Sequence, residues 1–452
     1  MLNRKSAGVL LAAAVALTLC GMSVFAADPD EPGQTRVSQD LAVSQQADGT
    51  GTADATYAAL SEEEQTNGAS EEETADASAE LTPDPVGTIS FPNLDSRVRE
   101  NNFNLLALEE AIASVEVTDY DKMTEDVRKQ INEIANQQWD LTTSIPGLGA
   151  VAAASLQQSY DALRDTFDDL KDGKIQEDYA AVTRQLRNAQ NQVVMASESL
   201  YVALTELEEN DQTMDRSLAA LDRTIQELEL RYSLGQISAL TLEQTKAGRT
   251  ALVSGQQTLE MNIANYKIQL EQMIGAELSG SIQLQPLPQV TEEDLKSMDL
   301  EADLTAAKEA SYTLFAAKRT LDDAQEDFKD AGKEYNYNEK KYQYVAAQHT
   351  WQAAQYTYNA AVQGFENSFR TLYLQVKDDQ QVLAAAKTAL ACEQDNYSAM
   401  QLKFEQGAIS QNKLLDAADE VSAAQDKVNS AEIDLFSAYN NYRWAVDYGI
   451  VN

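Results

Sequence analysis

The chain carries one short phrase twice: RYSLGQIS at residues 231–238 and KFEQGAIS at residues 403–410. In both copies a basic and an aromatic residue precede a glycine, and isoleucine and serine follow it. Each copy interrupts an alanine-rich stretch of helical pattern. A longer phrase also recurs, because residues 100–112 align with residues 309–321. Repeats set the architecture of a chain, so the sequence predicts two related halves, each a long helical hairpin that reverses at its glycine.

Proline is absent from the stretches 147–285 and 289–452. Proline inside a helix costs about 3 kcal/mol, so its absence from stretches rich in Ala, Leu, Gln and Glu favours long helices. A first helix is expected from Asn93 or Asp95 to about Gln138, and the longest unbroken pattern runs over 174–233. The predicted fold class is all-α, with long antiparallel coiled-coil hairpins in two internal repeats and an α-helical barrel when the chain oligomerises.

Aromatic residues in the second half recur every seven positions in two series. The members are Tyr337, Tyr344, Trp351 and Tyr358 in one series, and Tyr335, Tyr342, His349 and Tyr356 in the other. A seven-residue repeat is typical of a supercoiled seam between helices. The series are offset by two residues, about 200° around a helix, so this helix is expected to carry seams on opposite sides. A helix in the wall of a ring needs two such contacts, and a solvent-facing coiled coil rich in tyrosine is the alternative.

The N-terminus predicts export. Arg4 and Lys5 precede an apolar stretch that is too short to span a membrane comfortably, and a small-x-small cleavage motif ends at Ala26. Residues 1–26 are therefore interpreted as a signal peptide, with lipid attachment at Cys20 as the alternative.

The remaining chain divides into three parts. Residues 27–87 are acidic with few large apolar side chains, so they are predicted to be a disordered linker. Residues 88–290 form the first helical repeat and residues 291–452 the second. An extended segment that contains Pro286 and Pro288 joins the two repeats.

The net charge of −39 excludes nucleic acid as a partner, because such a surface repels phosphate backbones. His349 is the single histidine, and Cys392 would be the one cysteine left after cleavage, so no metal site or cofactor is expected. The sequence contains no nucleophile elbow, metal-ligand cluster or phosphate loop. An enzymatic function is therefore not expected.

The repeated phrase, the helix that follows it and the Asn-Tyr pair near the end of that helix resemble the TolC family of outer-membrane efflux proteins. The resemblance covers residues 90–449, with both halves included. It implies a homotrimer whose long helices form a channel, and it implies a membrane-fusion adaptor and an inner-membrane pump as partners. It also implies a place in the cell envelope: the outer membrane and periplasm, or the cell-wall space where there is no outer membrane.

The resemblance also implies site residues. The turns at the pump-proximal tip of the family's channel are matched by Leu234, Gly235, Gln406 and Gly407. Their role in reversing the chain follows from the glycines, whereas adaptor docking rests on the resemblance. Asp416 matches one of the acids that ring the family's closed pore. Because Lys413 stands where the first acid is expected, a solvated acid on a helix face is the competing interpretation of Asp416.

Family members that cross an outer membrane insert paired strands into the first part of each half. Residues 141–154 are too short for such a pair, and residues 328–365 have a helical pattern. Helical insertions, or none, are therefore expected. The predicted function is a passive extracytoplasmic conduit for efflux or export. The alternative is a coiled-coil scaffold or adaptor of the cell envelope without transport activity.

Overall fold

The computed structural model describes residues 84–144 and 149–451. The predicted signal peptide, Cys20 and all but the last residues of the predicted linker lie outside this part of the chain. The first half contains one short strand and six helices within these residues. Their bounds are β1 (Thr88–Ile89), α1 (Phe91–Asn101), α2 (Phe103–Glu116), α3 (Tyr120–Ser144), α4 (Gly149–Lys171), α5 (Lys174–Ser233) and α6 (Ala239–Met273).

The second half is built in the same way. Its described elements are β2 (Gln283–Leu284), α7 (Glu292–Ser297), α8 (Leu300–Ala310), α9 (Tyr312–Glu334), α10 (Tyr342–Glu405) and α11 (Gln411–Tyr448). The predicted all-α fold with long hairpins is therefore confirmed. Helix α5 has the bounds that the sequence predicts, and Gly173, with a φ of 81°, separates it from α4.

The expectation of one helix from Asn93 or Asp95 to about Gln138 is wrong, because the chain breaks after Asn101 and again after Glu116. At the first break the Asn102 side chain accepts hydrogen bonds from the backbone N–H groups of the second and third residues that follow it, at 3.0 and 3.3 Å. This bonding starts a new helix. Ser311, which aligns with Asn102 in the repeated phrase, caps α9 in the same manner. The long repeated phrase thus encodes a helix break.

The two aromatic series also need a correction, since their first members are not helical. Tyr335 and Tyr337 lie in the turn between α9 and α10, where Tyr337 has a positive φ of 54°. The aromatic ring of Tyr337 lies so close to Gly332 that a Cβ at position 332 would overlap it. The absent side chain of Gly332 therefore makes room for the turn, and both seams begin only with α10.

Both insertion points are helical in the described residues. Helices α3 and α4 pack as one hairpin, and α9 packs on the first part of α10 as another. The sequence SIPGLG at 144–149 predicts a turn between these two helices, and its residues 145–148 lie outside the described residues. Within the described chain, no helix combines the length and the apolar character of a membrane span.

The described chain contains two apolar cores. One surrounds Tyr201 and Leu94 in the first half, and the other surrounds Phe369 and Tyr442 in the second. Strands β1 and β2 pair in parallel, so the segment that joins the repeats returns to the start of the first repeat. The hydroxyl of Tyr201 donates to the carbonyl oxygens of Ile89 and Gln285, at 3.1 and 2.6 Å, and ties this junction to α5.

Candidate functional site

The two glycine turns have the same geometry. Gly235 and Gly407 have φ angles of 72° and 70°. After the first glycine, the N–H of Gln236 donates to the carbonyl of Arg231 at 2.9 Å, and after the second the N–H of Ala408 donates to Lys403 at 2.8 Å. This six-residue hydrogen bond across a left-handed glycine is the Schellman ending of a helix. The first turn therefore ends α5 and the second ends α10 with the same hydrogen-bond pattern.

The serine of each phrase starts the return helix. Ser238 accepts the backbone N–H of Thr241 at 3.2 Å, and Ser410 accepts that of Lys413 at 3.4 Å. Each bond satisfies one of the free N–H groups at a helix start. The repeated phrase is thus a complete stop and start signal for a helical hairpin.

Both turns lie at the same end of the helical hairpins. Helices α5 and α11 pack antiparallel: near one end Asn440 donates to Glu198 at 2.7 Å, and near the other Asn412 donates to Glu227 at 2.9 Å. Asn412 opens α11 and Glu227 lies in the last turns of α5. The α5–α11 contact therefore brings the predicted residues Leu234, Gly235, Gln406 and Gly407 to one end.

Large apolar side chains are exposed at this end. Leu234 is 63 % exposed and Leu402 is 59 % exposed. We call this group the tip surface; it consists of Leu230, Tyr232, Leu234, Leu402 and Phe404. Exposed apolar groups that cluster are typical of contact surfaces for other proteins.

Asp416 lies exposed near the start of α11, close to the tip surface in sequence. The next acid along the helix, Asp419, forms an ion pair with Arg223 of α5. The geometry is that of an acid on a helix face, and a gating role for Asp416 stays a prediction.

Four long helices pack side by side in the order α6, α5, α11, α10. The outer two each carry an exposed row with alternating spacings of three and four residues, which is the spacing of a coiled-coil seam. The α6 edge consists of Leu240, Gln244, Ala247, Ala251, Ser254, Thr258, Met261, Asn265 and Ile268. The α10 edge consists of Leu374, Asp378, Gln381, Ala385, Thr388, Cys392, Asp395, Ala399 and Leu402. One chain thus has two uncovered seams, one at each end of the row.

The halves are joined by polar contacts that sequence reasoning missed. Glu198 is buried, and its carboxylate accepts hydrogen bonds from Asn440 and from the indole N–H of Trp444, the latter at 2.5 Å. Burial raises the pKa of Glu198 above its ordinary value, against the opposing effect of the two donors. No sequence signal marks this acid among the many on α5, because its partners lie in the other half.

A second buried acid, Glu271, anchors the segment after α6. Its carboxylate accepts the backbone N–H groups of Gly280, Ser281 and Ile282 at 2.7 to 3.1 Å. The hydroxyl of Ser279 donates to it as well. Burial alone would raise the pKa of Glu271, but these donors outweigh it and hold the pKa below its ordinary value. The short run of Ser and Gly after α6 is the sequence signal that could have identified this loop.

No family model matches the sequence, and no curated protein matches it. The fold is similar to solved bacterial membrane proteins. The outer membrane protein VceC from Vibrio cholerae is 13% identical, over 79% of this chain and 96% of that chain, with a TM-score of 0.44. The CmeC outer membrane channel of Campylobacter jejuni is 14% identical, over 64% and 68%, with a TM-score of 0.42. A membrane protein from Pseudomonas aeruginosa is 12% identical, over 77% and 90%, with a TM-score of 0.46. Outer-membrane channels, the class that the sequence resembles, are thus among the structures to which this chain is similar.

Proposed function

We propose that this protein is a TolC-like passive conduit of the cell envelope and a component of an efflux or export system. The observation that supports it is the pair of uncovered seams, the α6 edge and the α10 edge, at the two ends of a row of four helices. If the α6 edge of one copy packs on the α10 edge of the next, the contact is head-to-tail, and such contacts form a ring where the rotation between copies closes. Three copies is the number that the family resemblance implies.

The conduit would be passive, since transport by a hollow ring needs no chemistry from its wall. The tip surface is the place where we expect a membrane-fusion adaptor and a pump to dock. The proposed location is extracytoplasmic, in line with the predicted signal peptide.

The ring predicts which residues of neighbouring copies meet. Cys392 lies on the α10 edge and Thr258 on the α6 edge. Three side-chain contacts show which residues of the four helices lie at the same level along the helix axes. They are Lys387–Glu432 between α10 and α11, Asp426–Arg216 between α11 and α5, and Asp215–Gln256 between α5 and α6. They place Cys392 and Thr258 within about one helical turn of the same height.

Thr258→Cys is therefore expected to form disulfides between copies with the native Cys392, giving linked species of two and three chains on mild oxidation. Non-reducing gel electrophoresis and light scattering would measure this. Thr224→Cys is the matched control, because it is exposed on α5 away from both edges; it should not cross-link. A monomer at micromolar concentration with no cross-linking by Thr258→Cys would rule out the ring.

Gly407→Val is expected to impair export while secretion and helicity persist. Valine at the positive φ of this turn costs roughly 1 kcal/mol or more and displaces the tip surface. Gly407→Asn is the matched control, since asparagine tolerates this conformation. Pump-dependent efflux in the producing cell is the measurement.

Full export by Gly407→Val would contradict the docking role of the turn. If deleting the whole protein left export unchanged, the alternative function as an envelope scaffold would replace the conduit.

A further inference from the structure

The first part of α10 lacks charged residues. From Tyr342 to Phe365 the sequence contains no Asp, Glu, Lys or Arg, in a chain whose net charge is −39. A solvent-exposed helix in such a protein is expected to carry charges along its length, as α5 does. The missing charges therefore indicate that this segment is covered on more than one side.

Helix α9 covers one side. The ring of Phe328 stacks on Tyr344 and Trp351, with centroids 5.3 and 5.2 Å apart, and Lys318 lies 5.9 Å from the centroid of Tyr358. These three α10 residues belong to one of the two aromatic series. One of the two predicted seams is thus filled within the chain.

The other side is open. Tyr342 is 78 % exposed and Tyr356 is 73 % exposed. We call this face the upper stripe of α10; it consists of Tyr342, Ala346, His349, Ala353, Tyr356 and Ala360, all exposed. Large rings occupy every seventh position, and an alanine follows each of them by four residues. The stripe therefore has the spacing of a coiled-coil seam in which large and small side chains alternate.

This alternation distinguishes between two ways of pairing with an identical stripe. A parallel pair aligns equal positions, which puts rings against rings and leaves gaps between the alanines. An antiparallel pair places each large position opposite a small one. In that register Tyr342 meets Ala360 of the second copy, Ala346 meets Tyr356, and His349 meets Ala353. Alternating large and small residues across facing positions fill a helix interface evenly.

We propose that the upper stripe is an interface with a second copy of this chain, packed antiparallel over residues 342–360. The segment spans roughly 28 Å at 1.5 Å per residue. It forms the N-terminal end of α10, whereas the Gly407 turn follows the C-terminal end. Two copies that pair through it therefore meet end to end, with their tip surfaces pointing apart. The contact does not require the proposed ring. In a ring, each copy carries one stripe, and the contact joins two rings into an assembly with twice the mass.

The register supplies a test by size exchange. In the antiparallel register position 346 of one copy faces position 356 of the other. Ala346→Tyr puts two aromatic side chains at these facing positions, and Tyr356→Ala leaves two alanines there. Each single change is expected to weaken the end-to-end association about tenfold or more, because overfilled and underfilled layers both destabilise a packed interface. The double variant Ala346→Tyr with Tyr356→Ala exchanges the two sizes and should restore association to within about threefold of the wild type.

Sedimentation equilibrium of the full chain, across a range of concentrations, measures the association. Circular dichroism checks that each variant stays helical, as expected for substitutions at exposed positions. Adding Thr258→Cys to each of these variants tests separately, by its cross-link to Cys392, whether the ring still forms. Loss of the doubled mass in both single variants, its return in the double variant and an intact ring cross-link would support the interface.

Three results would overturn the proposal. One is a wild-type mass that never exceeds a single ring or monomer. Another is single variants that abolish the ring cross-link, since the stripe would then belong to the ring. The third is a double variant that associates no better than the single variants.

Discussion

Gly449→Ala is expected to destabilise the protein by about 3 kcal/mol or more. Gly449 ends α11 with a φ of 63° and lies against the backbone between α8 and α9. A Cβ at this position would overlap the N and Cα atoms of Ser311 and would lie 2.7 Å from the carbonyl oxygen of Ala307. The neighbours are backbone atoms at a helix cap, so they cannot rotate away. The midpoint of urea unfolding, followed by circular dichroism, measures the loss.

Gly407→Ala is the matched control for Gly449→Ala. It has nearly the same backbone conformation, with a φ of 70°, but nothing lies within 4 Å of the added Cβ. This variant should lose only about 1 kcal/mol, the cost of the left-handed conformation. The difference between the stability losses of the two variants measures the cost of placing a Cβ against the backbone of Ser311. Equal losses would contradict the packing of α11 against the α8–α9 junction.

The same contact recurs in the first half, which supports its structural importance. Gly275 follows α6 with a φ of 65°, and a Cβ there would lie 2.7 Å from the carbonyl oxygen of Asn101. Each return helix thus ends in a glycine that packs against the break between two helices at the start of its own half. Only a residue without a side chain allows this approach.

Glu271→Leu is the second substitution for which we expect a large loss, again about 3 kcal/mol or more. Leucine leaves the backbone N–H groups of Gly280, Ser281 and Ile282 without their acceptor in a partly buried loop. Each unsatisfied buried donor costs about 1–3 kcal/mol. Urea unfolding measures the loss of stability, and limited proteolysis should show faster cleavage between α6 and β2.

Glu271→Gln is the control, and it also tests the charge. Glutamine keeps one carbonyl oxygen for the N–H groups, so its loss near neutral pH should be smaller than that of leucine. The folded pKa of Glu271 lies below its ordinary value, so its carboxylate stabilises the fold above the ordinary carboxyl pKa. That contribution disappears as the pH falls through the lowered folded pKa. The glutamine variant should therefore approach the wild type in acid, and a constant difference at all pH values would contradict the assigned role of the charge.

Much of this fold could be read from neighbouring residues in the chain. The bounds of α5 match the unbroken helical pattern over 174–233, which lacks proline and ends at the glycine turn. The repeated phrase predicted both helix reversals because its signals act within six residues: the left-handed glycine, the bond that spans it and the serine cap. Such local bonds need no partner from elsewhere in the chain.

Other features were missed because the packing of side chains and loops creates them, and neither helix propensity nor a capping bond reveals that packing. The turn between α9 and α10 interrupts a seven-residue repeat that otherwise continues, and it depends on the packing of Tyr337 against Gly332. Glu198 and Glu271 could not be distinguished from the solvated acids around them. Their burial depends on Trp444 in the other half and on a loop that folds back on α6.

The sequence alone therefore determined the all-helical class, the two repeats and the places where the long helices reverse, since these depend on propensity and on bonds between near neighbours. The tertiary structure alone decided that α6 and α10 lie at the outer ends of the row, and which aromatic series of α10 is filled by α9. The physical reason is that periodicity shows that a helix has a contact face but does not show which helix will cover it.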